Sequence, residues 1–109
     1  MNDYEVIMTP DATDNLIELR NYIADVLLVP DIALSYIRTI RHAIETLTYL
    51  PEKHPLVPDE PWHSRGFRKF PVKNFIVYYR IDEADARVYV LNIIYERRDQ
   101  LRVLAEKNL

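Results

Sequence analysis

The stretch Phe67-Arg68-Lys69-Phe70-Pro71-Val72-Lys73-Asn74-Phe75-Ile76-Val77-Tyr78-Tyr79-Arg80-Ile81-Asp82, followed by Arg87-Val88-Tyr89-Val90-Leu91-Asn92-Ile93-Ile94-Tyr95, decides the fold class. Its β-branched and aromatic residues predict strands at Phe67 to Val72, Phe75 to Ile81 and Val88 to Tyr95. The acidic run Asp82 to Ala86 predicts the last hairpin. Along the middle strand Phe75, Val77, Tyr79 and Ile81 share one face, and Ile76, Tyr78 and Arg80 share the other. The first set is the better core face, so Arg80 is expected to point outward with Tyr78 beside it.

Working back from the sheet, Pro51, Pro55, Pro58 and Pro61 exclude a regular element between residues 51 and 66. That segment reads as a fixed loop. Before it lie two helical patterns. Thr9-Pro10-Asp11 is a helix start: a side-chain cap, a proline suited to the first turn, and a carboxylate at the positive end of the dipole. Ala12, Leu16, Leu19, Ile23 and Val26 then share one face. Val29-Pro30 breaks the pattern. Ala33, Ile37, Ile40, Ile44, Leu47 and Leu50 form the face of a second helix, which ends at Pro51. Tyr4 to Met8 suits a short first strand, and Leu101 to Leu109 a short closing helix. The order β-α-α-β-β-β gives an α+β fold: a helical hairpin packed on a twisted, mainly antiparallel sheet. Leu16, Leu19, Ile23, Ile37, Ile40, Ile44, Leu47, Val77 and Tyr79 are its expected core. The other sheet face is expected to be free for function.

With 109 residues, 49% hydrophobic and 28% charged, the chain is expected to form one domain over residues 1–109. It has no cysteine, so neither disulfides nor thiol chemistry arise. Its single glycine, Gly66, excludes a glycine-rich phosphate loop. No signal peptide or membrane span is apparent, and the expected location is the cytoplasm. The net charge of −3 conceals an asymmetry. Asp3, Glu5, Asp11, Asp14, Glu18, Asp25 and Asp31 outweigh Arg20 in the first third. Arg65, Arg68, Lys69, Lys73 and Arg80 face no acidic residue between Ser64 and Ile81. Such a one-signed surface, interleaved with tyrosines, suits an anionic partner. The plainer alternative is a solvated face.

His42, His54 and His63 lack metal-ligand spacing, and neither metal nor cofactor is expected. His42 reads as a surface group and His54 as a structural one. His63, beside Ser64-Arg65, lies within reach of the basic face. Trp62 reads as a lid on the core, and Glu96 as an ion-pair partner for Arg97 and Arg98.

The element order resembles the RelE/ParE toxins of bacterial type II toxin–antitoxin systems. So do Ile7-Met8-Thr9-Pro10-Asp11-Ala12, Tyr22-Ile23-Ala24, Phe67-Arg68-Lys69 and Tyr79-Arg80-Ile81-Asp82. The ending Ile94-Tyr95-Glu96-Arg97-Arg98-Asp99 is similar to the basic close common in that family. The resemblance implies a growth-inhibiting toxin, of the kind associated with plasmid stabilisation, wrapped and neutralised by a cognate antitoxin. It leaves two targets open. RelE-like members cut messenger RNA on the ribosome with clustered lysines and arginines and a late tyrosine or histidine. ParE-like members lack that set and poison DNA gyrase.

Lys69 and Arg97 match positions of the RelE-like catalytic set. The family's middle-strand arginine falls on Ile76, and Leu101-Arg102-Val103-Leu104 replaces the late tyrosine. Tyr95 is a substitute, but it precedes Arg97. RNA cleavage needs a base, a charge stabiliser and an acid. Lys69, with Arg68 and Arg97 as cationic neighbours, is the candidate base for a metal-independent endoribonuclease. Arg65, Arg68, Lys73, Tyr78, Arg80, Tyr95 and Arg98 are the candidate contacts to the target or to nucleic acid. The departures at Ile76 and after Arg97 lean towards the gyrase branch. A binding module without toxicity is the third reading.

Overall fold

The computed structural model describes residues 3–22, 25 and 30–95. The first strand, β1 (Glu5–Met8), leads into α1 (Pro10–Asn21), and α2 (Pro30–Glu45) follows. Two short 3-10 turns, Thr46–Thr48 and Pro51–Lys53, carry the chain to β2 (Arg68–Val72), β3 (Phe75–Asp82) and β4 (Arg87–Tyr95). The sheet order is β1-β4-β3-β2. The β2–β3 and β3–β4 pairs are antiparallel, and β1 joins β4 in parallel. This is the expected α+β architecture, and its one parallel pair closes the sheet between the first strand and the last.

The start of α1 follows from three residues. Thr9 has extended backbone and accepts from Ala12 N through its hydroxyl, and Pro10 opens the first turn. The Thr9 hydroxyl also donates to the Val90 carbonyl at 2.7 Å. Beyond Met8, where β1 stops, the side chain of Asn15 takes over the edge of β4. Its Oδ1 accepts from Ile93 N and from Asn92 Nδ2, each at 2.9 Å. One helix side chain thus satisfies a backbone group that an additional strand residue would otherwise pair.

The main core lies between the helices and the sheet. Leu16, Leu19, Ile40, Ile44 and Leu47 pack against Phe70, Val72, Phe75, Val77 and Tyr79. Ile37 is partly buried beside them. The expected core is therefore found there, apart from Ile23, which lies outside the described residues, as does the expected closing helix. Burying each large apolar side chain contributes about 1.5–3 kcal/mol.

The opposite sheet face is not free, contrary to the sequence expectation. Residues 55–67 fold over it. Val57 N donates to the Phe67 carbonyl at 2.8 Å, and Lys69 N donates to that of Pro55 at 3.2 Å, which pairs this loop with the outer edge of β2. Gly66 adopts φ +79 where the loop turns into the strand. Val57, Trp62 and Phe67 then bury Tyr78, Leu91 and Ile94 in a second cluster. Trp62 is a lid, as expected, but on this smaller core. The register of β3 and β4 shifts between Tyr78 and Tyr79, leaving Leu91 as an extra residue. Such a bulge changes which residues of β4 face each way.

Candidate functional site

Among the described residues, the basic side chains do not all share one face of the sheet. Arg68 and Lys69 are successive on β2 and so leave opposite faces of the sheet. Arg68 is committed to the backbone: its Nη1 donates to the carbonyls of His54 at 2.7 Å and Glu52 at 3.2 Å. Lys69 lies opposite Tyr78 on the loop-covered face. Arg80 stands on that same face, with its guanidinium 4.7 Å from the centre of the Tyr89 ring. Lys73 is exposed in the two-residue turn between β2 and β3. Five residues along β3, about 17 Å at the usual strand rise, separate the Phe75 end from Arg80. Arg65 is exposed on the loop.

Tyr95 lies at the Phe75 end, its ring 5.4 Å from that of Phe75. Arg97, Arg98 and Glu96 fall outside the described residues.

Tyr78 is placed differently from its expectation. It is 2% exposed, enclosed by the loop rather than presented beside Arg80. Burial, with Asp59 nearby, pushes its hydroxyl pKa up to about 12. Tyr79 is raised to about 12 by burial as well, and its hydroxyl donates to the Pro51 carbonyl. Neither phenol is a proton acceptor at neutral pH. His63 donates from Nδ1 to the Val57 carbonyl at 3.1 Å, so it serves the loop. His54 stacks on Phe70 with ring centres 4.2 Å apart. Among the described residues, no three His, Cys, Asp or Glu side chains are grouped to hold a metal ion.

A feature that the strand-centred reading missed lies on the other side. Val6 and Met8 of β1, Leu16 and Ile17 of α1, and Ile37 and Ile44 of α2 line a groove of about 370 Å³. Arg20, Arg41 and Glu45 form its polar rim. Neither arginine has a carboxylate partner among the described residues, in a chain that is acidic overall. The groove floor is also a sheet edge. Glu5 N and Thr9 N bond inward to the carbonyls of Ala86 and Val90, at 2.9 and 3.1 Å. Tyr4 N bonds outward to Thr48. By this alternation the peptide groups of Val6 and Met8 face outward, away from β4. Arg20 and Arg41 are 21 positions apart, so linear charge patterning gave no sign of the pair. Their places at the helical spacings 16-17-20 and 37-41-44 were the available signal.

The comparisons agree with this architecture. The family model described as "ParE toxin of type II toxin-antitoxin system, parDE" matches residues 6–100. Among solved structures, one from a chromosomal ParDE system of P. aeruginosa is 20% identical, covers 84% of this chain and 95% of its own, and superposes with a TM-score of 0.70. The RelBE2 toxin–antitoxin complex of Mycobacterium tuberculosis gives 21%, 87%, 93% and 0.61 in the same order. A double mutant of the E. coli toxin RelE in the free state gives 9%, 93%, 92% and 0.64. No curated protein matches the chain by sequence. The structural likenesses bear on the fold, and the family match spans the Thr9 cap, both helices, β2 to β4 and all of β1 but Glu5. On that match, this chain belongs to the ParE toxin family of type II toxin–antitoxin systems.

Proposed function

We propose that this toxin inhibits growth by poisoning DNA gyrase in the cytoplasm, and that a cognate antitoxin holds it inactive. The separation of Arg68 and Lys73 from Lys69 and Arg80, among the described residues, supports this reading. Hydrolytic or transesterifying attack on RNA needs a base, a charge stabiliser and an acid within hydrogen-bond reach of one phosphate. Among the described residues Arg68 is occupied by carbonyls, Lys73 and Arg80 stand towards opposite ends of β3, and Tyr78 is buried. A poison needs surfaces that bind its target, and separate surfaces suffice for that.

The groove supports the antitoxin part. An apolar floor beneath Arg41 and Arg20, the latter donating to Asn21 Oδ1 and neither facing a carboxylate among the described residues, is complementary to an acidic, amphipathic segment that orders on binding. No described helix is long and apolar enough to cross a membrane.

Incubating the purified toxin with gyrase and supercoiled plasmid, and in parallel with programmed ribosomes, tests the reading. The expected result is stabilised gyrase–DNA breaks with intact messenger RNA. Ribosomal A-site cuts that disappear in Lys69→Ala and Arg97→Ala would replace it with the endoribonuclease reading. Inactivity in both assays would leave a binding module.

A further inference from the structure

The bend between α2 and the proline loop holds a side chain in a conformation it does not favour. Leu50 has φ 47 and ψ 58. In this left-handed region a Cβ crowds the following carbonyl, and glycine or asparagine is the usual occupant. Pro51 comes next and restricts Leu50 further. The leucine gains no burial in exchange: it is 63% exposed, and the preceding Tyr49 is 57% exposed.

The bend is fastened from several directions. Lys53 Nζ donates to the carbonyls of Thr46 at 2.9 Å and Tyr49 at 3.4 Å, and Lys53 N donates to that of Leu50 at 3.0 Å. The buried Tyr79 hydroxyl holds the Pro51 carbonyl. Arg68 holds those of Glu52 and His54. Two large apolar side chains are thus displayed to solvent on a backbone whose shape is set by its surroundings. Strain retained at such a position points to a use. Rigid presentation also lowers the ordering cost of binding, and a few anchors of this kind carry most of an interface's affinity.

We infer that Tyr49 and Leu50 form a convex anchor that enters an apolar pocket on a folded protein target of the toxin. Shape selects the class of partner. A segment that orders on binding needs a concave receiver, which the α1–α2 groove supplies. A rigid projection needs a pocket that exists beforehand, and a folded partner has one. The inference rests on the proposal that the toxin acts on a protein machine.

Leu50→Asn and Tyr49→Ser test it by growth inhibition on induction, gyrase-dependent plasmid cleavage, thermal melting and antitoxin affinity. Leu50→Asn suits the left-handed backbone, so its melting temperature should equal or exceed that of the unaltered chain. Both variants should bind antitoxin as before yet need roughly tenfold to a hundredfold more protein for the same inhibition. A more stable but less toxic variant is an outcome a merely structural bend does not produce. Full inhibition by both variants would overturn the anchor. So would a parallel loss of antitoxin affinity, which would assign the residues to the antitoxin, or unfolding of both variants, which would assign them to the fold. An unaltered chain that inhibits nothing overturns the toxin proposal and the anchor together. An active unaltered chain with equally active variants overturns the anchor alone.

Discussion

On one face of the sheet, Phe70, Val77 and Tyr79 meet two helices whose apolar residues recur every three or four positions. On the other, Tyr78, Leu91 and Ile94 meet a proline-rich loop with no such period. The two clusters share β3 and β4 but not their cover. A helical cover is tied into the sheet through Thr9, Asn15 and many core contacts. The loop is held mainly by Trp62, Phe67 and a few hydrogen bonds at the edge of β2. Local density of this kind sets how much of a protein opens together. The helix face should therefore open with the whole fold, and the loop face by itself.

Core truncations test that contrast most severely. Ile40→Ala, at a fully buried position of α2, should destabilise the fold by about 2–5 kcal/mol in urea titrations. Trp62→Ala should cost about 3 kcal/mol. Its effect on hydrogen exchange should concentrate at Val57 N and Lys69 N, with the helix-face amides still protected. Equal loss of protection on both faces would mean that the two clusters form one cooperative unit.

The next test separates the helix-to-sheet tie from apolar packing. Asn15→Ala removes the acceptor shared by Ile93 N and Asn92 Nδ2. Leaving those donors unsatisfied should cost about 1–3 kcal/mol, read by the same titration. A negligible change would show that α1 is held by its apolar face alone.

A smaller effect of opposite sign is expected at the β3–β4 turn, where Ala86 has φ 51. Ala86→Gly should stabilise by about 0.5–1 kcal/mol, because relief of the left-handed strain outweighs the added freedom of the unfolded chain. Destabilisation would show that the native turn tolerates this backbone without strain.

The smallest effect concerns pH. Burial against Phe70, with Lys53 adjacent, lowers the pKa of His54 below its ordinary 6.5. Between the folded and unfolded values the unfolded chain binds more protons, so stability rises with pH in that window. The contribution is complete above about 6.5 and is lost as pH falls through 6.5 towards the folded value. Melting temperatures between pH 7.5 and 5.5 should show the decline, and His54→Phe, which keeps a ring on Phe70, should flatten it.

The helix face was legible because its signals are local. The Thr9-Pro10 start, the Pro30 restart and the spacing of Ile37, Ile40 and Ile44 each lie within a few residues. The loop face was not legible, because what buries Tyr78 comes from Val57, Trp62 and Leu91, joined only by the tertiary fold. The bulge at Leu91 hides it further by changing the alternation along β4. The basic residues were read as one surface because they are close in sequence. A pleated strand separates neighbours such as Arg68 and Lys69, and backbone carbonyls, invisible to composition, claim Arg68. The groove draws on three elements and was legible only as two separate helical stripes.

The parallel pairing of β1 with β4 has a consequence in time. Glu5 lies opposite Arg87, and Met8 opposite Val90. At the roughly 5–20 residues per second of protein synthesis, about 4–16 s pass between the making of those partners. During that interval the first strand has no sheet partner, whatever the helices do. The ribosome therefore releases this toxin's sheet as a late product: β1 waits for β4 before the sheet can close.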